Sequence, residues 1–342
     1  MTLSRRDFAA LSLAAPLAWS LAPPVRALAR TPLVIAAGAA TGDAPASTRV
    51  AYDLAITAGA DVIAASVFPT RDGWLVALPG ADLAATTDVA ARPEFADRRK
   101  VRSIDGHDVP GWSVEDFTLA ELKALVCVTP GAKRRGPDAG RTILTFEELM
   151  ATARAGSVRM ARVIGVEVRI VEAARWAALD LAVEPRLATA IRTAGYNFPA
   201  AAMVVAAEEP DALRTLGELT RVRRAMRLRA ADGAGQRSSD GLKAIRGFAE
   251  AIAADSALLI DLAQPKTIPP LGLVADAHAA GLTVQAWTAP DAGAVFPPPP
   301  FRAGDARRIF AALFAVGCDA VAGDNAALVA RGRDDAASRD RG

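Results

Sequence analysis

Short apolar runs alternate along this chain with amphipathic stretches that have helical spacing. Leu33 to Ala36 is an apolar run that predicts a strand. Ser47 suits the N-cap of a helix, and Gly59 suits its end. The chain from Leu33 to Gly59 therefore predicts one strand followed by one helix. Asp61 to Phe68 predicts the second strand, and Trp74 to Leu78 extends it as a hairpin. Six further strands are predicted at Arg162 to Val168, Ala202 to Ala207, Ala225 to Arg229, Ala257 to Leu262, Leu282 to Trp287 and Asp319 to Ala322.

Helical patterns separate these strands. They are predicted at Glu147 to Arg154, Arg186 to Ala194, Pro210 to Leu219, Leu242 to Ala253, Leu271 to Ala280, Asp305 to Val316 and Ala326 to Arg331. Eight strands in alternation with helices predict an α/β fold of the (β/α)₈ or TIM barrel type. A doubly wound sheet is the structural alternative, although it seldom uses eight such units.

Two segments depart from the alternation. Residues 80–141, rich in Asp, Arg, Gly and Pro, are too long for an ordinary strand–helix connection and predict a subdomain inserted after the second strand. Within it, Thr118 suits the N-cap of a short helix. Beyond the predicted barrel of residues 30–332, the charged residues 333–342 predict a disordered tail.

The composition narrows the function classes. The chain has 342 residues, 52% of them apolar, which suffices for one large core. Its 40 basic and 38 acidic residues give a net charge of +2, so no strong field favours nucleic acid. Whether the protein has a protein partner is unknown from the sequence. Cys127 and Cys318 are far apart in the sequence, and we expect two isolated buried thiols, although a disulfide stays open.

The first 29 residues have the pattern of a twin-arginine signal peptide. Arg5 and Arg6 precede an apolar stretch from Ala9 to Ala22, and Ala27-Leu28-Ala29 offers small residues for cleavage. This predicts a periplasmic or secreted protein that begins at Arg30. The alternative is an uncleaved anchor, but the stretch is shorter than the roughly 20 residues of a spanning helix. The mature chain is predicted to contain no transmembrane span.

Several blocks resemble one family in their order along the chain. They comprise Val34 to Leu83, Ala85-Thr86-Thr87-Asp88-Val89, Pro93-Glu94-Phe95-Ala96-Asp97-Arg98, Ile104-Asp105-Gly106, Trp112 to Leu119, Ala277 to Thr288 and Gly317 to Val321. From about Pro32 to Ala330 the chain resembles the glycerophosphodiester phosphodiesterases, especially the periplasmic type. That resemblance implies hydrolysis of glycerophosphodiesters at the mouth of a TIM barrel, with Ca or Mg, two histidines and an arginine.

The positions that carry this chemistry in the family hold other residues here. The resemblance places the family's first His-Arg on Ala37 and Gly38, and its metal-binding Glu and Asp on Ala64 and Ser66. The hairpin His-Asp falls on Pro79 and Gly80. We therefore expect a degenerate member without a catalytic residue, a metal site or a cofactor.

The third strand keeps part of the pattern. The family's Glu-x-Lys resembles Glu167-Val168-Arg169, so Glu167 is the one retained metal-ligand position. Residues two apart in a strand share a face, so both side chains are expected to point the same way, and they meet inside the barrel if the polar face is the inward one. One hypothesis is that Arg169 binds a phosphate or carboxylate in place of the metal's charge. The other is that it forms a structural ion pair with Glu167 or Asp324.

Two further positions belong to the predicted barrel mouth. Trp287 ends the seventh strand and Asp324 follows the eighth; the tryptophan either lines the site or packs within the barrel. The chain has two histidines, His107 in the insertion and His278 in a predicted helix, and neither is expected at the end of a barrel strand.

Three functions are therefore open. The first is an inactive member of the family, a pseudoenzyme that binds a small anion or glycerophosphodiester through Glu167, Arg169, Ser66, Trp287 and Asp324. The second is an active phosphoric diester hydrolase of lipid metabolism that releases glycerol 3-phosphate by a non-standard site. The third is another hydrolase that uses Ser66 or Asp324, although no histidine is available to activate the serine.

Overall fold

The structure is a computed structural model that describes residues 31–38, 44–104, 107–129, 140–288, 296–298 and 301–339. The predicted signal peptide lies outside these residues, as do the last three residues of the chain. In the described part, no helix combines the length and apolar character that crossing a membrane requires.

Eight parallel strands form a closed ring. Each strand is hydrogen-bonded to its neighbours in chain order, and the first strand also pairs with the eighth, with Leu33 opposite Ala320. Closure confirms the predicted TIM barrel and distinguishes it from an open doubly wound sheet. The barrel strands are Leu33–Ala37, Val62–Pro69, Gly165–Ile170, Met203–Ala207, Arg223–Leu228, Ala251–Asp255, Thr283–Trp287 and Ala320–Gly323.

Helices surround the ring and bury their apolar faces against its outer surface. Capping side chains fix where some of them begin: Thr48 accepts a hydrogen bond at the start of the first helix, and Thr145 forms a capping box with Glu148 at the next. The helices around the barrel are Arg49–Thr57, Phe146–Met160, Ala173–Ala178, Val183–Thr193, Pro210–Leu219, Ser239–Arg246, Leu273–Ala279, Ala306–Ala315 and Ala326–Arg339.

The sixth strand is the principal correction to the predicted elements. The prediction of a helix at Leu242 to Ala253 followed by a strand at Ala257 to Leu262 is wrong. The helix ends at Arg246, and Ala251–Asp255 forms the strand. Alanine favours helix in isolation, but here Ala251 and Ala253 are needed as small residues inside the barrel, so tertiary packing overrides local propensity.

The insertion is attached through a hairpin. The strand Leu75–Leu78 runs antiparallel to the second barrel strand and pairs in turn with Leu144–Thr145. Between them lie 3₁₀ turns, a two-stranded sheet and a short helix. These elements are Val89–Ala91, Pro93–Arg98, Lys100–Ile104, His107–Gly111, Val114–Asp116 and Leu119–Lys123.

The helix of the insertion begins where the sequence predicted. Thr118 is its N-cap and forms a capping box with Glu121. Arg98 donates two hydrogen bonds to the Glu121 carboxylate, at 2.8 and 2.6 Å. This pairing is the main reason that the pKa of Glu121 falls to about 2. The insertion is therefore held by charge-assisted contacts as well as by its apolar residues.

The predicted disordered tail is wrong for the residues described. The last helix continues to Arg339 instead of ending near residue 331. Arg333 donates to Asp61 at 2.8 Å and to the carbonyl of Pro32, while Arg307 donates to Asp335 at 2.6 Å. The charged residues form the solvent face of a helix whose Gly332 and Ala336 are buried, so their charge did not signal disorder.

Both cysteines are buried and free, which confirms the expectation of two isolated thiols. Burial raises the pKa of each thiol to about 12, so neither is ionised near neutral pH.

Candidate functional site

The inside of the barrel is arranged in layers. In a barrel of this kind, alternate strands contribute the four inward side chains of each layer. The observed register places Ala37, Arg169, Arg227 and Trp287, all from odd-numbered strands, in one layer near the mouth. We call these four residues the arginine layer.

Layers of different chemistry lie above and below. The even-numbered strands place Ser66, Glu208, Asp255 and Asp324 in the layer at the mouth, and we call these four residues the acidic rim. Beneath the arginine layer the same strands supply Ala64, Ala206, Ala253 and Ala322, all buried. Four alanines fill less volume than the branched residues that usually occupy such a layer.

Glu167 and Arg169 form an ion pair inside the barrel. The Nε of Arg169 donates to Oε1 of Glu167 at 2.9 Å. Glu167 is 2% exposed, and the side chain of Arg169 is 12% exposed. The hypothesis of a structural pair is therefore confirmed, with Glu167 as the partner. The pair leaves Nη2 of Arg169 buried without a hydrogen-bond partner.

Arg227 is a site residue that the sequence analysis missed. It is 9% exposed, and its guanidinium carbon lies 4.4 Å from the centre of the Trp287 ring. Its Nε is 3.5 Å from Oε1 of Glu208, and its Nη1 is buried without a partner. Burial, and after it the positive charge of Arg169, lower the pKa of Arg227 to about 10. The signal was present in the fifth strand, where Arg223, Arg227 and Arg229 fall on one face.

Trp287 serves barrel packing and also contacts Arg227 within the arginine layer. It is 6% exposed, and its Nε1 donates to the carbonyl of Ala253 at 3.0 Å. The ring is fixed by this bond and presents a face to Arg227.

Asp324 and Ser66 both lie on the acidic rim, as the sequence predicted for the mouth. Asp324 is exposed, yet partial desolvation raises the pKa of its carboxyl, with Arg169 acting in the opposite direction. Ser66 is half-buried within the second strand, Val62–Pro69. His278 lies on a surface helix and its Nε2 is 2.9 Å from Asp319, which precedes the eighth strand at the opposite end of the barrel. The side chain of His107 lies outside the described residues.

Among the residues that the structure describes, those at this mouth do not fit a calcium or magnesium ion. Such ions take six or more oxygen ligands, usually with several carboxylates. Glu167 is already paired with Arg169, and the adjacent inward position on the second strand is Ala64. Within the described ranges, no three His, Cys, Asp or Glu residues converge closely enough to hold a metal.

Gly38 and Pro79 supply no side chain with acid–base chemistry either. Gly38 follows the first strand in a left-handed conformation, with φ of 71°, and its amide donates to the carbonyl of Ala64 at 3.2 Å. Pro79 follows the hairpin strand. What the mouth offers instead is two buried guanidinium groups under three carboxylates.

Comparison with known proteins identifies the fold independently. A phosphodiesterase from Oleispira antarctica, solved in complex with the product sn-glycerol-3-phosphate, superposes with a TM-score of 0.59 at 19% identity, covering 89% of this chain and 97% of that one. A glycerophosphodiester phosphodiesterase from Agrobacterium tumefaciens gives a TM-score of 0.56 at 17% identity, covering 88% and 99%. At these identities the likeness shows a common fold.

Sequence comparison goes further. A glycerophosphodiester phosphodiesterase of Arabidopsis thaliana is 36% identical over 141 residues, which cover 40% of this chain and 36% of that protein. The chain thus matches about a third of the length of this curated relative. The model of the glycerophosphoryl diester phosphodiesterase family matches residues 39–328. The chain belongs to the glycerophosphoryl diester phosphodiesterase family.

Proposed function

We propose that this chain is a non-hydrolysing member of its family, a pseudoenzyme that binds a small phosphate- or carboxylate-bearing ligand at the barrel mouth. The observation that carries the proposal is the use of Glu167: the carboxylate retained on the third strand neutralises Arg169, and among the residues that the structure describes no ligand set remains for a divalent metal.

The chemistry of phosphodiester hydrolysis supports the same conclusion. That reaction needs a group to neutralise the phosphate and groups to transfer protons. The inward positions of the first two strands end in Ala37, Ala64 and Ser66. An alanine does neither task, and Ser66 has no histidine within reach among the residues described.

Anion binding is supported by the unpaired guanidinium nitrogen. Nη2 of Arg169 is buried without a hydrogen-bond partner, and a buried donor left unpaired costs about 1–3 kcal/mol. A ligand oxygen that accepts from this nitrogen recovers that loss. The planar guanidinium suits phosphate and carboxylate groups, including that of glycerol 3-phosphate.

A hydrolysis assay tests the loss of activity. Purified protein is incubated with glycerophosphocholine and either calcium or magnesium, and release of glycerol 3-phosphate is measured. We expect no release above that of boiled protein. Metal-dependent turnover well above this control overturns the proposal in favour of an active phosphodiesterase with a non-standard site.

Calorimetry tests ligand binding separately. We expect glycerol 3-phosphate to bind the wild type in the absence of metal and to bind the Arg169→Ala variant at least tenfold more weakly. Equal heats for the two proteins would remove the role of Arg169.

We also propose that the protein is exported by the twin-arginine route. The support is the sequence pattern of residues 1–29, with its paired Arg5 and Arg6. Cell fractionation of the native chain and of a chain with both arginines changed to lysine is the test. We expect the native chain in the periplasm or medium and the variant in the cytoplasm.

A further inference from the structure

The mouth contains both signs of charge in separate layers. Arg169 and Arg227 lie in the arginine layer, and Glu208, Asp255 and Asp324 lie in the acidic rim above them. A ligand with negative charge alone must pass three carboxylates to reach the guanidinium groups, which opposes its entry. The arrangement therefore favours a ligand that satisfies both layers.

Both arginines have capacity for an anionic group. Nη2 of Arg169 and Nη1 of Arg227 are buried and have no hydrogen-bond partner. Arg227 is nine-tenths buried, so these donors are not satisfied by bulk water. Their positions in one layer allow a single group with several oxygens to accept from both.

Two rim carboxylates have capacity for a cationic group. Asp255 accepts hydrogen bonds from its neighbours Ser256, at 3.4 Å, and Ala257, at 3.0 Å, which is local turn geometry. In the described part of the chain, neither Asp255 nor Asp324 forms an ion pair. Glu208 differs, because it lies 3.5 Å from Arg227 and 3.6 Å from Arg229.

The spacing of the layers limits the size of the ligand. Successive layers differ by one residue along a strand, a rise of about 3.3 Å before strand tilt is taken into account. An anionic and a cationic group that bind both layers are therefore separated by only a few bonds.

From these observations we infer that the mouth binds a compact zwitterion, with its carboxylate or phosphate on Arg169 and Arg227 and its ammonium group at Asp255 and Asp324. This inference rests on the proposed anion-binding function and narrows it to ligands of the amino-acid or phosphoamine type. Arg227 then takes over, together with Arg169, the charge that a divalent metal would supply.

Matched ligand pairs test the inference. Isothermal titration in EDTA compares β-alanine with propionate and O-phosphoethanolamine with ethyl phosphate, so that the members of each pair differ only in the ammonium group. The two pairs also distinguish carboxylate from phosphate as the anionic part. We expect at least one zwitterion to bind at least tenfold more tightly than its partner.

Variants assign the two halves of the site. Arg227→Gln should lower the affinity for every ligand that binds the wild type by at least tenfold. Asp324→Asn, on the exposed rim, should remove the preference for the zwitterion. Arg223→Gln is the matched control, because Arg223 also lies on the fifth strand but at the opposite end of the barrel, and it should change affinity less than twofold. Circular dichroism verifies that each variant is folded.

The outcomes separate the inference from the proposed function. If the zwitterion and the anion bind the wild type with equal affinity, and Arg169→Ala loses that binding, the inference of a zwitterion site is overturned while the proposed anion binding stands. An unchanged affinity in folded Arg227→Gln overturns the role of Arg227. If no anion or zwitterion binds the wild type, the proposed binding function itself fails.

Discussion

Removing the charge of Glu167 is the most direct perturbation of the barrel interior. The oxygen and nitrogen of the pair lie 2.9 Å apart, and Glu167 is 2% exposed. At an effective dielectric constant of about 20, that separation corresponds to a gross attraction of about 6 kcal/mol. Breaking a buried pair by removing one partner typically costs about 3–5 kcal/mol, because it leaves an uncompensated charge.

Glu167→Gln is therefore expected to lower the melting temperature substantially. An unfolding entropy of about 2 cal/mol/K per residue gives roughly 0.6 kcal/mol/K for a folded chain of about 300 residues. A loss of 3–5 kcal/mol then corresponds to about 5–8 °C, measured by thermal unfolding followed with circular dichroism. The proximity of Arg227 reinforces the effect, because two positive guanidinium groups remain with one fewer carboxylate.

Two controls make this result specific. Asp211→Asn breaks an exposed pair with Arg214, whose side chains are 93% and 54% exposed, and should change the melting temperature by no more than about 1 °C. Combining Glu167→Gln with Arg169→Met removes both charges and should recover most of the loss. A decrease in melting temperature of less than about 2 °C for Glu167→Gln, or no recovery in the double variant, refutes the assignment of a buried, mutually dependent pair.

The remaining predictions concern stability elsewhere. Asp324→Asn should raise the melting temperature at pH 7.5, because the raised pKa of Asp324 means that its ionised form destabilises the fold. This gain should vanish below about pH 4, where the carboxyl is protonated in both the folded and the unfolded chain. A gain that stays constant with pH would contradict the reasoning. Gly332→Ala places a Cβ 2.6 Å from Phe310 and should cost about 1–3 kcal/mol in denaturant unfolding, whereas Gly235→Ala, with open space around it, should be near neutral. Thr145→Ala removes a helix cap and should cost about 1 kcal/mol; no change in the same assay would argue against the capping box.

The fold was predictable because barrel strands and helices have different hydrophobic periods. Seven of the eight strands lie close to their predicted positions, and the exception is instructive. The segment around Ala251–Asp255 consists mostly of alanines, whose local preference is helical, and only the need for small inward residues makes it a strand. The need for small inward residues comes from packing inside the closed barrel, and a short segment of sequence carries no information about that packing.

The site was predictable in part for the same reason. Alternation along the third strand correctly placed Glu167 and Arg169 on one face, where they form an ion pair. Arg227 was missed because its strand contains several arginines and resembles a solvated edge. Its place beside Trp287 depends on the stagger between strands, which is a property of the whole barrel.

The last helix has a consequence for how the chain acquires its structure during synthesis. The first strand pairs with the eighth, and Arg333 bonds to Asp61 and to the carbonyl of Pro32. Until the eighth strand has been synthesised, the open edge of Leu33–Ala37 has no permanent partner and can pair with another nascent chain. Ring closure depends on contacts between distant parts of the sequence, which makes it a slow step in folding.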